Sequence, residues 1–400
     1  MVAGRVTYLL SEYPTPNHVY LTREIAGLRA LGWTVDVVSV RKPLLRAAWM
    51  APPMVEEMAS VRYALGDGVA GVLGRALGYC LTGGRGWRVL GGAVARGLRH
   101  RSVLRELWYA VELLSIARWL GTGHVHGHFI GQFAASLAVL CPGRWSITLH
   151  GPDEFRDVAV ERLRTCLREA AMVRLINAFG KAQCEALAPE RPRAALEVIR
   201  LGLPLASLPE PVRTYGGTRL LTVGRLAAVK AQQEAIRALA EVRRHGLDAT
   251  LTIIGDGEAK GALQEHARRE GVEGLVEFRG WVSSDAVFEA MRTADIFLLP
   301  SLAEGIPLVL MEAMWQGCSC IATPVGGVPE LIDHGVNGFL VPVGDARALA
   351  SAVLTVSGDP ELPPRLHAAA RQRLRERFDL GHNVRQLSAA FVQMGAGLES

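Results

Sequence analysis

Apolar positions along this 400-residue chain fall into short runs separated by stretches of helical periodicity. Arg5–Leu10 is a strand-like run, and Ser11–Asn17 is a loop carrying Pro14 and Pro16. Tyr20–Leu31 repeats its apolar residues at helical spacing and ends at Gly32, a natural helix stop. Thr34–Val40 is the next predicted strand. A strand–helix–strand opening is how parallel sheets begin. Runs at Val125–Phe129, Ser146–Leu149, Val173–Ile176 and Val198–Leu201 continue the pattern.

Between Gly202 and Gly217 the chain turns proline-rich, with Pro204, Pro209 and Pro211, which predicts a domain boundary there. A second series follows, with strands expected at Arg219–Val223, Thr250–Ile254, Val276–Phe278, Ile296–Leu299, Ser319–Ala322 and Phe339–Val341. Helical stretches separate them, notably Gln232–His245 and Asp285–Thr293. Such alternation predicts an α/β fold with doubly wound parallel sheets. The expected organisation is an N-terminal Rossmann-like domain over 1–205 and a second one over 206–375. A C-terminal segment, 376–400, holds a helix near Val384–Met394 that packs back on the first domain.

Composition changes this picture little. Half of the residues are hydrophobic and 21% are charged, as in a folded globular protein. The net charge of +5 is too small an excess to imply nucleic acid. Cys80, Cys141, Cys166, Cys184, Cys318 and Cys320 form no Cys-x-x-Cys pair, so reduced, buried thiols in a cytoplasmic protein are expected. The N-terminus does not read as a signal peptide, and no apolar stretch reaches the ~18 residues of a membrane-spanning helix.

Residues 68–105 stand apart: seven arginines, ten glycines and no acid, with Tyr79 and Trp87 among them. One reading is a solvated helical cover over the first domain. The other is a contact with a membrane surface or a lipid diphosphate.

The densest chemistry lies in Pro300–Met314. A buried strand ends at Pro300 and a short loop carries Glu304 and Gly305. Pro307 suits the first turn of a helix that runs to about Gln316, where Gly317 stops it. This leaves the amides of Leu308 and Val309, beside Ile306, unpaired at a helix N-terminus, a ready anion site. It also sits at the carboxyl end of a strand, where open α/β sheets bind ligands. Glu304 and Glu312 cannot bind phosphate, but they can accept hydrogen bonds from hydroxyls, one from a sugar and the other from a ribose. The plainer readings are a loop acid and an exposed helix position. The apolar run Leu308–Met314 around Glu312 favours a buried functional carboxylate.

An anion needs cations. Gly224-Arg225-Leu226 closes the first strand of the second series, and Lys230 follows. Ile254-Gly255-Asp256-Gly257 is either a plain turn or a floor for a nucleotide. Arg279-Gly280-Trp281-Val282 is a strand exit whose backbone can read a base. His150, after the strand Ser146–Leu149, either faces a cleft or is a packed histidine. His124, His126 and His128 share one strand face. With no carboxylate or cysteine accompanying them, a metal is not expected. No Asp-x-Asp occurs to hold a metal–diphosphate. The first strand–helix turn has no glycine, so the nicotinamide fingerprint is absent, and so is a Gly-x-Ser-x-Gly elbow.

These residues resemble glycosyltransferase family 4, retaining enzymes of the GT-B fold, whose two Rossmann-like domains face a central cleft. The resemblance spans essentially the whole chain. It is most specific in Gly224-Arg225-Leu226 with Lys230, Ile254–Gly257, the Glu304/Glu312 pair and Thr323-Pro324-Val325-Gly326-Gly327-Val328-Pro329-Glu330. The wording Glu304–Met314, with Tyr8–Pro14, is similar to the branch that builds bacterial exopolysaccharides of the colanic-acid type. The resemblance implies that Arg225 and Lys230 neutralise the diphosphate of a UDP- or GDP-sugar. It places Glu304 on the donor sugar, Glu312 on the ribose and His150 toward the sugar from the other lobe. Gly224, Gly255, Gly257, Trp281, Val282, Gly305, Ile306, Leu308 and Val309 complete the donor site. It further implies no metal and no cofactor, and a glycan or polyprenyl-diphosphate-linked acceptor at the inner face of the cytoplasmic membrane. Pro307 departs from the family's usual glycine and removes one amide from the phosphate cradle. Lys230-Ala231 and Gly202-Leu203-Pro204 are further departures. The competing readings are a nucleotide-sugar epimerase on the same fold and a non-catalytic assembly subunit.

Overall fold

The computed structural model describes residues 4–15, 18–43, 52–155, 158–188, 194–208, 210–211, 213 and 217–395. Pro16, Asn17 and Pro209, named above, lie outside them, as do 396–400. Two units divide the chain: Met1–Arg200 with Leu380–Ser400, and Leu201–Asp379.

The first unit opens with β1 (Gly4–Glu12), α1 (Val19–Ala30) and β2 (Trp33–Arg41), followed by α2 (Pro52–Ser60) and β3 (Arg62–Tyr63). Three helices come next: α3 (Gly68–Cys80), α4 (Gly84–Arg99) and α5 (Val103–Ile116). The alternation then resumes with β4 (His124–His128), α6 (Ala134–Leu140), β5 (Trp145–Leu149), α7 (Val158–Glu169), β6 (Met172–Leu175), α8 (Ala178–Leu187) and β7 (Ala195–Val198). The sheet order is β3-β2-β1-β4-β5-β6-β7, all parallel. Its central strands β4 and β5 are buried at every position, as strands covered on both faces must be.

The predicted strand Val198–Leu201 is displaced. The strand is Ala195–Val198, and its residues are alternately exposed and half-buried because it lies at the sheet edge. Past it, Ile199 still donates its amide to Leu175 O at 3.1 Å, while its carbonyl accepts from Arg174 Nε at 2.9 Å. The apolar residues Ile199 and Leu201 therefore pack where the chain is leaving the sheet.

The second unit runs β8 (Arg219–Val223), α9 (Gln232–Arg244), β9 (Thr250–Ile254), α10 (Lys260–Arg269), β10 (Val276–Gly280), α11 (Ser284–Thr293), β11 (Ile296–Leu299) and α12 (Leu308–Trp315). It continues through β12 (Ser319–Ala322), α13 (Val328–Leu331), β13 (Phe339–Leu340), α14 (Ala346–Gly358) and α15 (Leu362–Arg377). Its parallel sheet has the order β10-β9-β8-β11-β12-β13. Neighbours β8 and β11 send their chains to opposite sides, so the loops leaving them part and open a crevice at the carboxyl ends.

The last helix, α16 (Leu380–Gln393), belongs to the first unit. It packs on α1, and a Cβ on Gly27 would press on Val384. Trp33 donates its indole N–H to Ser388 Oγ at 2.8 Å, and the fully buried ring of Phe391 lies edge-on to Trp33.

Candidate active site

The second unit gathers the predicted residues at the carboxyl ends of its strands, and backbone hydrogen bonds knit their loops together. Gly224 N donates to Ile254 O at 2.9 Å and Leu226 N to Asp256 O at 2.9 Å, joining the loops after β8 and β9. Gly255 N donates to Gly280 O at 2.8 Å, which carries the rim on to Trp281 and Val282. Gly255 has φ +135, and a Cβ there would collide with Gly224 O, so only glycine allows these loops to touch. Leu302 N donates to Val229 O at 2.8 Å, tying the turn of Lys230 to the loop of Glu304.

That contact sets up the central pair. Lys230 Nζ lies 2.7 Å from Glu304 Oε1, with the carboxylate buried and the ammonium about three-quarters covered. Arg225 is exposed, and its guanidinium has no partner among the described residues. Its carbonyl is held by Gln232 Nε2 at 3.0 Å, a positioning contact that the sequence reading did not identify. The rim therefore carries the Lys230–Glu304 ion pair and the exposed guanidinium of Arg225.

Pro307 is the N-cap of α12 rather than its first helical residue. Its ψ of 109 is extended, yet its carbonyl accepts from Leu310 and Met311 at 3.1 and 3.3 Å. The amides of Leu308 and Val309 precede these first bonds, so they have no intrahelical partner at the N-terminus. Ile306 is buried beside them. The helix ends at Trp315, one residue short of the predicted limit, with Gly317 at φ +82 beyond it. Glu312 is half-buried instead of buried, because Leu308, Val309 and Glu312 share the outer face while Leu310, Met311, Ala313 and Met314 pack inward.

The segment Thr323–Glu330 has a structural task. Thr323 Oγ1 donates to Ser301 O at 2.5 Å, and Gly327 N donates to Gly305 O at 2.7 Å. Gly326, at φ +53, lies against the carbonyl of Glu304 so closely that no Cβ fits. The loop of Glu304 is thus clamped from both sides.

His150 belongs to the first unit, directly after β5. Its Nε2 is 2.7 Å from His128 Nδ1, and its ring stacks between His128 and Phe129. Its backbone N–H donates to the carboxylate of Glu154. Burial pushes the imidazoles of His126, His128 and His150 well below their ordinary value, and nearby charged groups, Arg174 among them, add to this.

The histidine stripe does have a carboxylate beside it, contrary to the sequence reading. Glu24 on α1 lies close to His126 and His128. It comes from a distant helix, so spacing along the chain could not reveal it. The sequence signal was an acid on the apolar face formed by Tyr20, Leu21, Ile25 and Leu28. Glu24 accepts from Tyr8 OH at 2.8 Å and pairs with the fully buried Arg174. Each carboxylate oxygen thus holds one of these partners, and Glu24 with Arg174 forms a buried ion pair supporting the stripe. All six cysteines are buried and unpaired, and burial pushes Cys166, Cys184 and Cys318 up to about 12.

A family model described as "Glycosyl transferases group 1" matches residues 217–359. These residues include the whole rim described above. The amylovoran biosynthesis glycosyltransferase AmsK of Erwinia amylovora is 31% identical over 66% of this chain and 68% of its own length. The putative colanic acid biosynthesis glycosyltransferase WcaL of Salmonella typhimurium is 24% identical over 96% of this chain and 98% of its own. Among solved structures, Anabaena HepE in complex with UDP-glucose superposes with a TM-score of 0.72 at 18% identity, covering 98% of this chain and 100% of that one. That likeness shows the fold. The identity to AmsK across two thirds of its length, together with the family match, shows that the chain belongs to the group 1 glycosyltransferases and is a glycosyl-transferring enzyme of the GT-B fold.

Proposed function

We propose that this enzyme moves a hexose from a UDP- or GDP-sugar to a glycan or polyprenyl-diphosphate-linked acceptor, with retention at the anomeric carbon, in bacterial surface or exopolysaccharide synthesis. The observation that carries the reading is the Lys230–Glu304 pair at 2.7 Å, together with Arg225, whose guanidinium has no partner among the described residues, and the first-turn amides of Leu308 and Val309. That set supplies cations and N–H donors for a diphosphate and carboxylates for hydroxyls.

In this reading Arg225 and Lys230 take up negative charge as the bond between the sugar's anomeric carbon and the diphosphate breaks. Glu304 orients the sugar and Glu312 holds the ribose, while Gly224, Gly255, Gly257, Trp281, Val282 and Gly305 shape the nucleotide's bed. Catalysis rests on positioning and leaving-group stabilisation, with no metal and no enzyme nucleophile. The names of AmsK and WcaL support a polysaccharide product, and the UDP-glucose in HepE supports a uridine donor. The enzyme works at the cytoplasmic membrane face, held there by residues 68–105.

The test is thermal unfolding with a panel of nucleotides and nucleotide sugars, on wild type and Glu312→Ala. A ligand that binds only the folded state raises its melting temperature. One UDP- or GDP-sugar should stabilise the wild type and lose its effect in the variant. No shift with any nucleotide would overturn the donor site.

A further inference from the structure

Helix α3 departs from the usual arrangement of a surface helix, because it is apolar on both faces. Its inward face is Val72, Ala76 and Cys80. Its outward face is also apolar: Val69, Leu73 and Leu77 are 57%, 50% and 55% exposed, and Leu81 just beyond is 74% exposed. These four recur every fourth residue, forming one stripe. Arg75, the helix's one charged residue, bends away from that stripe to Asp67, to the carbonyls of Ala64 and Ser115, and over the ring of Trp119. Nothing polar is left on the outer face, where a water-facing helix would carry its polar residues.

The neighbouring helices extend the surface. Trp87 and Leu98 on α4 and Leu104 at the start of α5 are 56%, 68% and 85% exposed. Around them stand Arg85, Arg88, Arg99, Arg101 and Arg105, all exposed and none paired with an acid among the described residues. Arg96, His100, Arg105 and Arg162, with Glu106, line a cavity of about 490 Å³ at the end of α4. No helix among the described residues is long and apolar enough to cross a membrane.

We infer that α3 and the exposed edge of α4 lie in the surface of an anionic bilayer, with Val69, Leu73, Leu77, Leu81, Trp87 and Leu98 among the acyl chains and the arginines on the headgroup phosphates. Both halves of the surface fit one occupant. Exposed leucines and a tryptophan partition into the acyl boundary, and unpaired arginines are drawn to lipid phosphate. A second copy of this chain fits poorly, because a two-fold contact would set the same five exposed arginines against one another. The inference rests on the membrane placement of the proposed function but not on its donor site, and it names the element and the lipid chemistry that make the contact.

Sedimentation with vesicles of phosphatidylglycerol and phosphatidylcholine, beside vesicles of phosphatidylcholine alone, tests it. The wild type should bind the anionic vesicles and be released by salt. Leu73→Glu with Leu77→Glu should weaken binding roughly tenfold or more, since each change removes a buried leucine from the acyl layer. The same variant should keep the melting temperature of the wild type and any nucleotide-induced shift. A nucleotide shift missing from both proteins, with vesicle binding intact, would count against the donor site alone. Should the double variant not fold, Leu77→Cys carrying an environment-sensitive dye gives a second reading, helped by the burial of every native thiol. Its emission should shift to the blue on anionic vesicles. Wild type that ignores anionic vesicles, a double variant that binds them as wild type does, or a dye that reports water throughout would each overturn the inference. So would a dimer that the glutamates dissolve while vesicles have no effect.

Discussion

His128 Nδ1 stands 2.7 Å from His150 Nε2, both rings fully desolvated or nearly so. Of two neutral imidazoles, one must donate this hydrogen bond and the other accept it, so the pair locks two opposed tautomers together. His124 and His126 extend the stripe through the shared hydroxyl of Ser146, each at 2.7 Å.

This stripe makes stability sensitive to acid. Burial holds His126, His128 and His150 well below their usual value and His124 down at about 4. The unfolded chain takes up these protons near pH 6.5, whereas the folded chain does so only at lower pH. The stabilising difference is therefore present above about pH 6.5 and is lost as the pH falls toward 4. Thermal unfolding should show a melting temperature that drops steeply across that window. Replacing His124 by Gln should flatten the drop, and an unchanged slope would contradict the assignment.

Lys230 and Glu304 should be separable by kinetics. In the proposed mechanism Lys230→Ala removes a cation from the leaving group, so it should lower kcat/KM by about 10²- to 10³-fold. Glu304→Gln keeps size and hydrogen bonding but loses the charge that orients Lys230, so it should lower kcat more than it alters nucleotide binding. Initial rates of sugar transfer, with nucleotide binding measured alongside, check both. Wild-type rates in Lys230→Ala would remove it from the mechanism.

Gly326→Ala should act as an indirect site mutation. A side chain at φ +53 is disfavoured, and its Cβ would push on the carbonyl of Glu304. We expect about 1–3 kcal/mol of destabilisation, from the cost of a strained backbone residue, together with loss of donor binding. Urea unfolding and nucleotide titration on one sample would show both effects or refute the link.

Phe391→Ala tests the last helix. The ring is fully buried against Trp33, His124 and His126. Its removal should cost about 3–5 kcal/mol, as large-to-small core changes do. Denaturant unfolding followed by tryptophan fluorescence gives the value.

Much of the second unit was legible because its strands are short apolar blocks with glycine or proline at their exits. Arg219–Val223, Thr250–Ile254, Ile296–Leu299 and Ser319–Ala322 have the limits that the pattern predicts. The turn residues Gly224, Gly255 and Gly317 marked the ends for steric reasons that the structure bears out. The strand around Val198 was harder, since an edge strand with one wet side loses its apolar block. Glu24 and Arg174 escaped notice because their pairing joins residues 150 apart in sequence. Pro307 misled by one position, because a proline fits both the cap and the first turn.

Because α16 completes the first unit, the protein is not finished in the order in which it is begun. Leu201–Asp379 forms one uninterrupted segment, whereas the first unit needs residues from both sides of it. During synthesis the opening sheet leaves the ribosome with the surface around Trp33, His124 and His126 uncovered, and Phe391 has not yet been translated. At ordinary elongation rates that surface waits roughly ten to forty seconds while the intervening unit is built. The part begun first is thus finished last, and until then the tryptophan-and-histidine patch that Phe391 covers lies open.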